Sequence, residues 1–78
     1  MNKQSKEAIE KIIKVVENVS ESAFNELTPR EKYILDKRVK DKQQLWKIAK
    51  HFGVITERIR QIQEKALQKL RNHKSFKR

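Results

Sequence analysis

Gly53 is the only glycine in this chain, and it separates two segments that each carry an apolar stripe at helical spacing. A lone glycine in that place marks a left-handed helix stop, because glycine enters that backbone region without steric cost. Beyond it, Ile59, Ile62, Ala66, Leu67 and Leu70 recur at steps of three, four, one and three, which is one face of a helix running from Thr56 to Arg71. Glu57, Arg60, Gln61, Glu64 and Gln68 fall on the opposite face. A charged outer face is the norm for any solvated helix. It is also the chemistry that reads base edges in a major groove. Ahead of the glycine, Leu45, Ile48, Ala49 and Phe52 give the inner face of a short helix from about Gln43 to His51, with Gln43 and Gln44 as weak caps. Val54 is the apolar residue that follows such a stop, and Thr56 is expected to cap the next helix. A short helix, a glycine turn and a longer helix form a helix-turn-helix. Ala49, four residues before the turn, suits a close crossing of the two.

A further helix start is encoded at Thr28-Pro29-Arg30-Glu31. Thr28 caps, Pro29 takes the first helical position, and Glu31 closes a capping box. Ile34, Leu35 and Val39 are its buried face, Tyr33 stands at its edge, and Lys40–Lys42 is the polar connection that ends it. Earlier still, Ile9, Ile12, Val16 and Val19, flanked by Ile13 and Val15, predict a helix from Ser5 to about Val19, with Ser5 as its cap and Glu7 in its first turn. Ser20 to Asn25 reads as a break. The fold class is therefore all-α. It is a small helix-turn-helix domain with a tri-helical core and no wing, preceded by an extra N-terminal amphipathic helix. The expected division is helix and linker over 1–25, helix-turn-helix domain over 26–72, and a basic tail over 73–78.

Charge narrows the function. The net charge is +10 over 78 residues. Residues 1–26 hold four Lys and five Glu, whereas residues 27–50 carry net +5 and residues 51–78 net +6. That asymmetry favours a polyanion, most often nucleic acid. With no cysteine there is no disulfide and no thiolate metal site, which suits a reducing cytosol. No apolar run reaches membrane-span length. His51 and His73 lack paired ligand spacing, so no metal and no cofactor is expected. Glu26 and Glu31 form no acid–base pair, since Glu31 has the capping role, and no nucleophile–base–orienter set is visible; the expectation is a non-enzyme. Trp46 reads as a rim residue of a small core, with base or partner stacking as the alternative. Asn72–Arg78 reads as a frayed basic tail that adds non-specific phosphate attraction.

The segments LTPRE at Leu27–Glu31 and FGVITERIRQIQEKALQKLR at Phe52–Arg71 together resemble region 4 of bacterial RNA polymerase sigma factors, the sigma-70 family. The resemblance covers about Leu27 to Arg71 and leaves out the N-terminal helix. It implies a transcription initiation and regulation module that binds promoter minus-35-type double-stranded DNA by its last helix. It also implies docking on the β flap of the RNA polymerase core through a more N-terminal apolar surface, with Ile34, Leu35 and Val39 as docking or core residues. By the same resemblance Glu57 and Gln61 match base-touching positions, and Thr56 stands where the family's base-reading Arg stands. Arg60, Lys65 and Arg71 match positions that meet phosphates or activators, with Arg58 a structural or phosphate-side charge. Ile55 replaces the usual capping Thr or Ser, so Thr56 is expected to take over the cap and the bidentate guanine contact of the Arg is lost. The polar connection at Lys40–Lys42 is also short for the family.

Sigma factors usually carry further domains that melt DNA. Whether this chain is an excised domain or a stand-alone protein, that function is expected from elsewhere, such as a second sigma-like subunit. The implied setting is the cytoplasm of a bacterium, or of one expressing a phage gene, at the nucleoid and without a membrane partner. Two readings from other classes stand beside this one. One is a protein-interaction module that binds polymerase or a partner sigma subunit with little DNA reading. The other is a helix-turn-helix repressor that dimerises through its N-terminal helix, as paired half-sites demand.

Overall fold

The computed structural model describes residues 3–77, with side chains from Glu7 onward. Among these residues there are five helices and no strand: α1 (Lys3–Glu17), α2 (Glu21–Asn25), α3 (Pro29–Val39), α4 (Leu45–Phe52) and α5 (Thr56–Arg71). The backbone is already helical at Lys3, so Ser5 sits inside α1 and does not cap it; the Ser5 side chain lies outside the described residues. The stretch read as a break is instead a helical turn and a half. Ser20 is its N-cap, its hydroxyl accepting from the Ala23 N–H at 3.3 Å, and Ala23 is buried beneath it. Serine and asparagine favour turns, but here the serine supplies a cap and burial of Ala23 holds the rest.

The capping box at α3 forms as its residues dictate. The Thr28 N–H donates to Glu31 Oε1 at 2.9 Å, and the Glu31 N–H donates to Thr28 Oγ1 at 3.2 Å. Glu31 does more than close the box. Its buried carboxylate also accepts from Lys69 Nζ of α5 at 3.0 Å, tying the start of α3 to the last helix. α4 begins at Leu45 after Gln44, whose side chain makes no cap bond; the Gln44 Oε1 instead accepts from the Trp46 indole N–H at 2.7 Å. Gly53 ends α4 at φ 68 and ψ 33, with the Val54 N–H closing onto the Ala49 carbonyl at 3.1 Å. A Cβ there would meet nothing within 4 Å, so the requirement for glycine is the left-handed φ alone.

Two apolar clusters hold the helices together. Ile34, Ile48, Ala49 and Ile59 are buried between α3, α4 and α5, with Tyr33, Leu45, Phe52, Val54 and Ile62 packed around them. The second cluster joins Ile12, Val15, Ala23, Leu27, Leu35, Ala66, Leu67 and Leu70. The N-terminal helix packs on the helix-turn-helix domain it precedes: its Ile9, Ile12 and Val15 are buried, and α1 packs on α3 and α5. The buried stripe of α1 ends on Val15, with Val16 and Val19 only partly covered.

The C-terminal residues are docked where a frayed tail was expected. The Lys77 N–H donates to the Asn18 carbonyl at 2.9 Å, and Ser75 Oγ accepts from the Ser20 N–H at 3.0 Å. Phe76 packs on the second cluster, and His73 Nε2 lies 2.6 Å from Glu26 Oε2. A single aromatic and two hydrogen bonds back to the α1–α2 junction outweigh the charge of this segment. Arg78 lies outside the described residues.

Replacing Leu67 or Ile59 with Ala is expected to lower stability by about 2–5 kcal/mol, seen as a large drop in denaturant midpoint. A pH titration tests Glu31. Burial pushes its carboxyl up, but the Thr28 N–H, Lys69 and the Thr28 hydroxyl together outweigh that and hold it below its usual range. A depressed folded-state pKa contributes stability that is complete above the unfolded-state pKa and is lost as pH falls through the folded-state value. Wild type is therefore expected to lose more stability than Glu31→Gln as pH is lowered from neutral through the carboxylate range. Parallel pH profiles for the two proteins would refute the role of the charge.

Candidate nucleic-acid interface

α4, the Gly53 turn and α5 form the helix-turn-helix. Ala49, buried between Ile34, Ile48 and Ile59, lets the two helices cross closely. This leaves the N-terminal half of α5 standing clear: Thr56, Glu57, Arg58, Arg60 and Gln61 are all exposed. Helix geometry then sorts the predicted residues. Glu57 and Arg60 form one edge, where Arg60 Nε reaches both Glu57 oxygens at 3.0 and 2.9 Å and Nη2 also bonds Oε1. The Arg60 hydrogen bond and charge lower the Glu57 pKa, and Glu57 raises that of Arg60. Both carboxylate and guanidinium thus face solvent already engaged with one another.

Arg58, Gln61 and Lys65 lie on a neighbouring stripe at steps of three and four. They line a groove of about 300 Å³ with Thr28, Arg30, Glu31, Ile62 and Lys69. Among the described residues Arg30, Arg58 and Lys65 make no ion pair, and neither do Lys47 and Lys50 on α4. A polyanion is the natural complement to such a surface. Arg71 is not brought to it. It stands fifteen residues along α5 from Thr56, roughly 22 Å at the helical rise, in a groove with Glu7, Lys11 and Glu64 against α1.

Thr56 is not the cap. α5 starts at Thr56 itself, and the N-cap position belongs to Ile55 at φ −73 and ψ 154, with no side-chain cap bond. The turn is fixed by Gly53 and by Val54 packing into the first cluster, and this sets the helix start irrespective of whether the next residue can cap it. Of the three residues placed at docking or core positions, Ile34 and Leu35 are fully buried. Val39 is partly exposed, at the rim of an apolar groove of about 290 Å³ with Val16, Val19, Phe24 and Leu35.

Two residues beneath this surface escaped the sequence reading. Arg38 is 4% exposed, its Nε donating to Gln63 Oε1 at 3.0 Å and its Nη1 to the Gln43 carbonyl at 2.8 Å. Burial lowers its pKa. These bonds tie α3 to α5 and to the turn leading into α4. Gln63 sits four residues from both Ile59 and Leu67, and Arg38 four from Ile34 and three from Leu35, so the place of each on an inner face was visible in the periodicity and only its polar character hid it. Trp46, expected at the rim of the core, is instead half exposed on α4 beside Lys47 and packs on neither apolar cluster. No cluster of His, Cys, Asp or Glu among the described residues could hold a metal ion, and no helix among them is long and apolar enough to cross a membrane.

The absent cap gives a test of the helix start. Ile55→Ser is expected to raise stability by about 0.5–2 kcal/mol by supplying the missing acceptor. Thr56→Arg should leave the melting temperature nearly unchanged, since no cap bond is lost. A clear destabilisation by Thr56→Arg would return the cap to Thr56.

The family model described as Sigma-70, region 4 matches residues 23–72 of the chain. No curated protein and no solved structure matches it.

Proposed function

The chain belongs to the Sigma-70, region 4 family, a family of DNA-binding transcription modules and not of enzymes, and from that premise we propose that it reads minus-35-type promoter duplex and docks on RNA polymerase. The observation that carries the reading is the clear-standing N-terminal half of α5 beside a basic groove. Glu57 and Gln61 supply acceptors and an amide for base edges, while Arg58, Lys65 and Arg30 meet the flanking phosphates. Thr56, short and at the first helical position, reads less than a long forked side chain would. Arg60 already commits its Nε and Nη2 to Glu57, so Lys65, which makes no ion pair among the described residues, is the stronger anchor. Arg71, on the far end of α5, serves a partner other than the same few base pairs.

Polymerase docking is assigned to the groove rimmed by Val16, Val19, Phe24 and Val39, with buried Leu35 in its lining, while Ile34 lies in the other cluster and is closed to a partner. This groove is also what favours the second reading, a protein-interaction module with little DNA reading. The dimeric repressor finds less support, since the Ile9, Ile12 and Val15 face of α1 is covered within its own chain. A second, DNA-melting subunit and the cytoplasm at the nucleoid complete the proposed setting.

The test is binding to a minus-35-bearing duplex and to a scrambled one across a salt series, with capture by core RNA polymerase in parallel. Lys65→Ala is expected to weaken both duplexes alike and to flatten the salt slope by about one unit. Arg60→Ala should weaken the minus-35-bearing duplex more than the scrambled one, because Arg60 is held by Glu57 until a matching site opens the pair. Capture by polymerase with no preference between the duplexes would favour the interaction module instead.

A further inference from the structure

We propose that Ile55 is a specificity-determining residue that recognises a thymine through its 5-methyl group; this rests on the duplex reading above and deepens it. Val54 packs against the Ile34–Ile48–Ala49–Ile59 cluster. Ile55 follows Val54 at φ −73 and ψ 154, outside both helices. Its side chain is 73% exposed, more than the half-exposed Trp46. It belongs to neither apolar cluster.

In the free protein this residue is unfavourable twice over. It holds the position where a Ser, Thr, Asp or Asn oxygen would accept from the first-turn N–H groups, and it accepts nothing. It also keeps a branched aliphatic side chain in water. Nothing in the packing of the domain requires it. What its position does offer is access: it immediately precedes Thr56 and Glu57, at the end of α5 that a helix-turn-helix presents to base edges. A side chain with neither donor nor acceptor cannot pair with a polar base edge. In the major groove the thymine 5-methyl is the one apolar feature that distinguishes a base pair, and apolar contact with it removes both surfaces from water. Cytosine, which lacks the methyl, leaves a gap, and the purine edges offer N7 with O6 or N6, which Ile55 would desolvate without satisfying.

The experiment starts by selecting the tightest-binding duplex from a randomised pool with the whole chain. Each thymine in it is then replaced singly by deoxyuridine, which removes the methyl and keeps every hydrogen-bonding group. Dissociation constants are measured at one salt concentration for wild type, Ile55→Ala and Ile55→Ser, with a thermal melt of each. One deoxyuridine is expected to weaken wild type about two- to fivefold and to leave both variants unaffected. Ile55→Ser should melt no lower than wild type, so its indifference to the methyl is not a folding defect. If no replacement weakens wild type, or if the same one weakens Ile55→Ser equally, the thymine contact is overturned while duplex reading stands. If the pool yields no enriched duplex, the duplex reading fails and the thymine contact fails with it.

Discussion

The close crossing of α4 and α5 over Ala49 is the constraint on which the rest depends. Ala49 is buried in one cluster with Ile34, Ile48 and Ile59, and a larger side chain there would have to displace fully buried neighbours. Gly53 makes the crossing possible by reversing the chain in a left-handed turn, and Val54 anchors the turn from below. With both ends of the turn fixed, the first residues of α5 have no freedom to choose their own start. That is why the helix begins at Thr56 behind an isoleucine that cannot cap it. Local preference yields here to packing: a cap is worth about 0.5–2 kcal/mol, whereas displacing one buried branched side chain costs about 2–5 kcal/mol.

Polar bonds add direction that the apolar clusters lack. Glu31 joins the start of α3 to Lys69 on α5, and Arg38 joins the end of α3 to Gln63 on α5 and to the Gln43 carbonyl. The two links lie at opposite ends of α3 and so fix its orientation along α5. Arg38 has no carboxylate among its hydrogen-bond partners and relies on an amide and a backbone carbonyl. A buried guanidinium bound in this manner tolerates little, because removing either acceptor leaves a desolvated charge unpaired. The link therefore works as a register pin more than as a source of net stability.

How much of this was legible in the sequence depended on whether the signal was local. The capping box at Thr28, the glycine stop and the inner face of α5 are encoded within a few residues, and each appears where its residues put it. The helix over 21–25 and the docked C-terminal residues were not legible, because each depends on a distant partner. Ser75 and Lys77 find theirs at Ser20 and Asn18. The same holds for α1, whose stripe shows that it must pack but not against what. In the interface the exposed face of α5 followed from periodicity. The division of its cations did not, since it depends on which groups the tertiary fold sets opposite Arg30, Lys69 and α1.

Under the proposed duplex reading, the Glu57–Arg60 pair is where the basic surface would gain selectivity. A lone carboxylate at the leading end of a DNA-facing helix would repel phosphates, and a lone guanidinium would bind any of them. Paired through three hydrogen bonds, the two cancel at a distance, so long-range attraction is left to cations that make no ion pair among the described residues, Arg58, Lys65 and Arg30, the last stacked over the Phe52 ring. The pair acts only on close approach. Opening it is favourable where a base offers a donor to Glu57 while a phosphate or a guanine edge receives Arg60. At other sequences one partner gains a contact and the other is stranded, and the pair stays closed. Exposed ion pairs of this kind contribute little, because solvent screens them, so a matching site can exchange one. On that proposal the pair separates the two tasks of the helix: cations outside any ion pair supply attraction that ignores sequence, and Glu57 with Arg60 contributes only where both can be satisfied together.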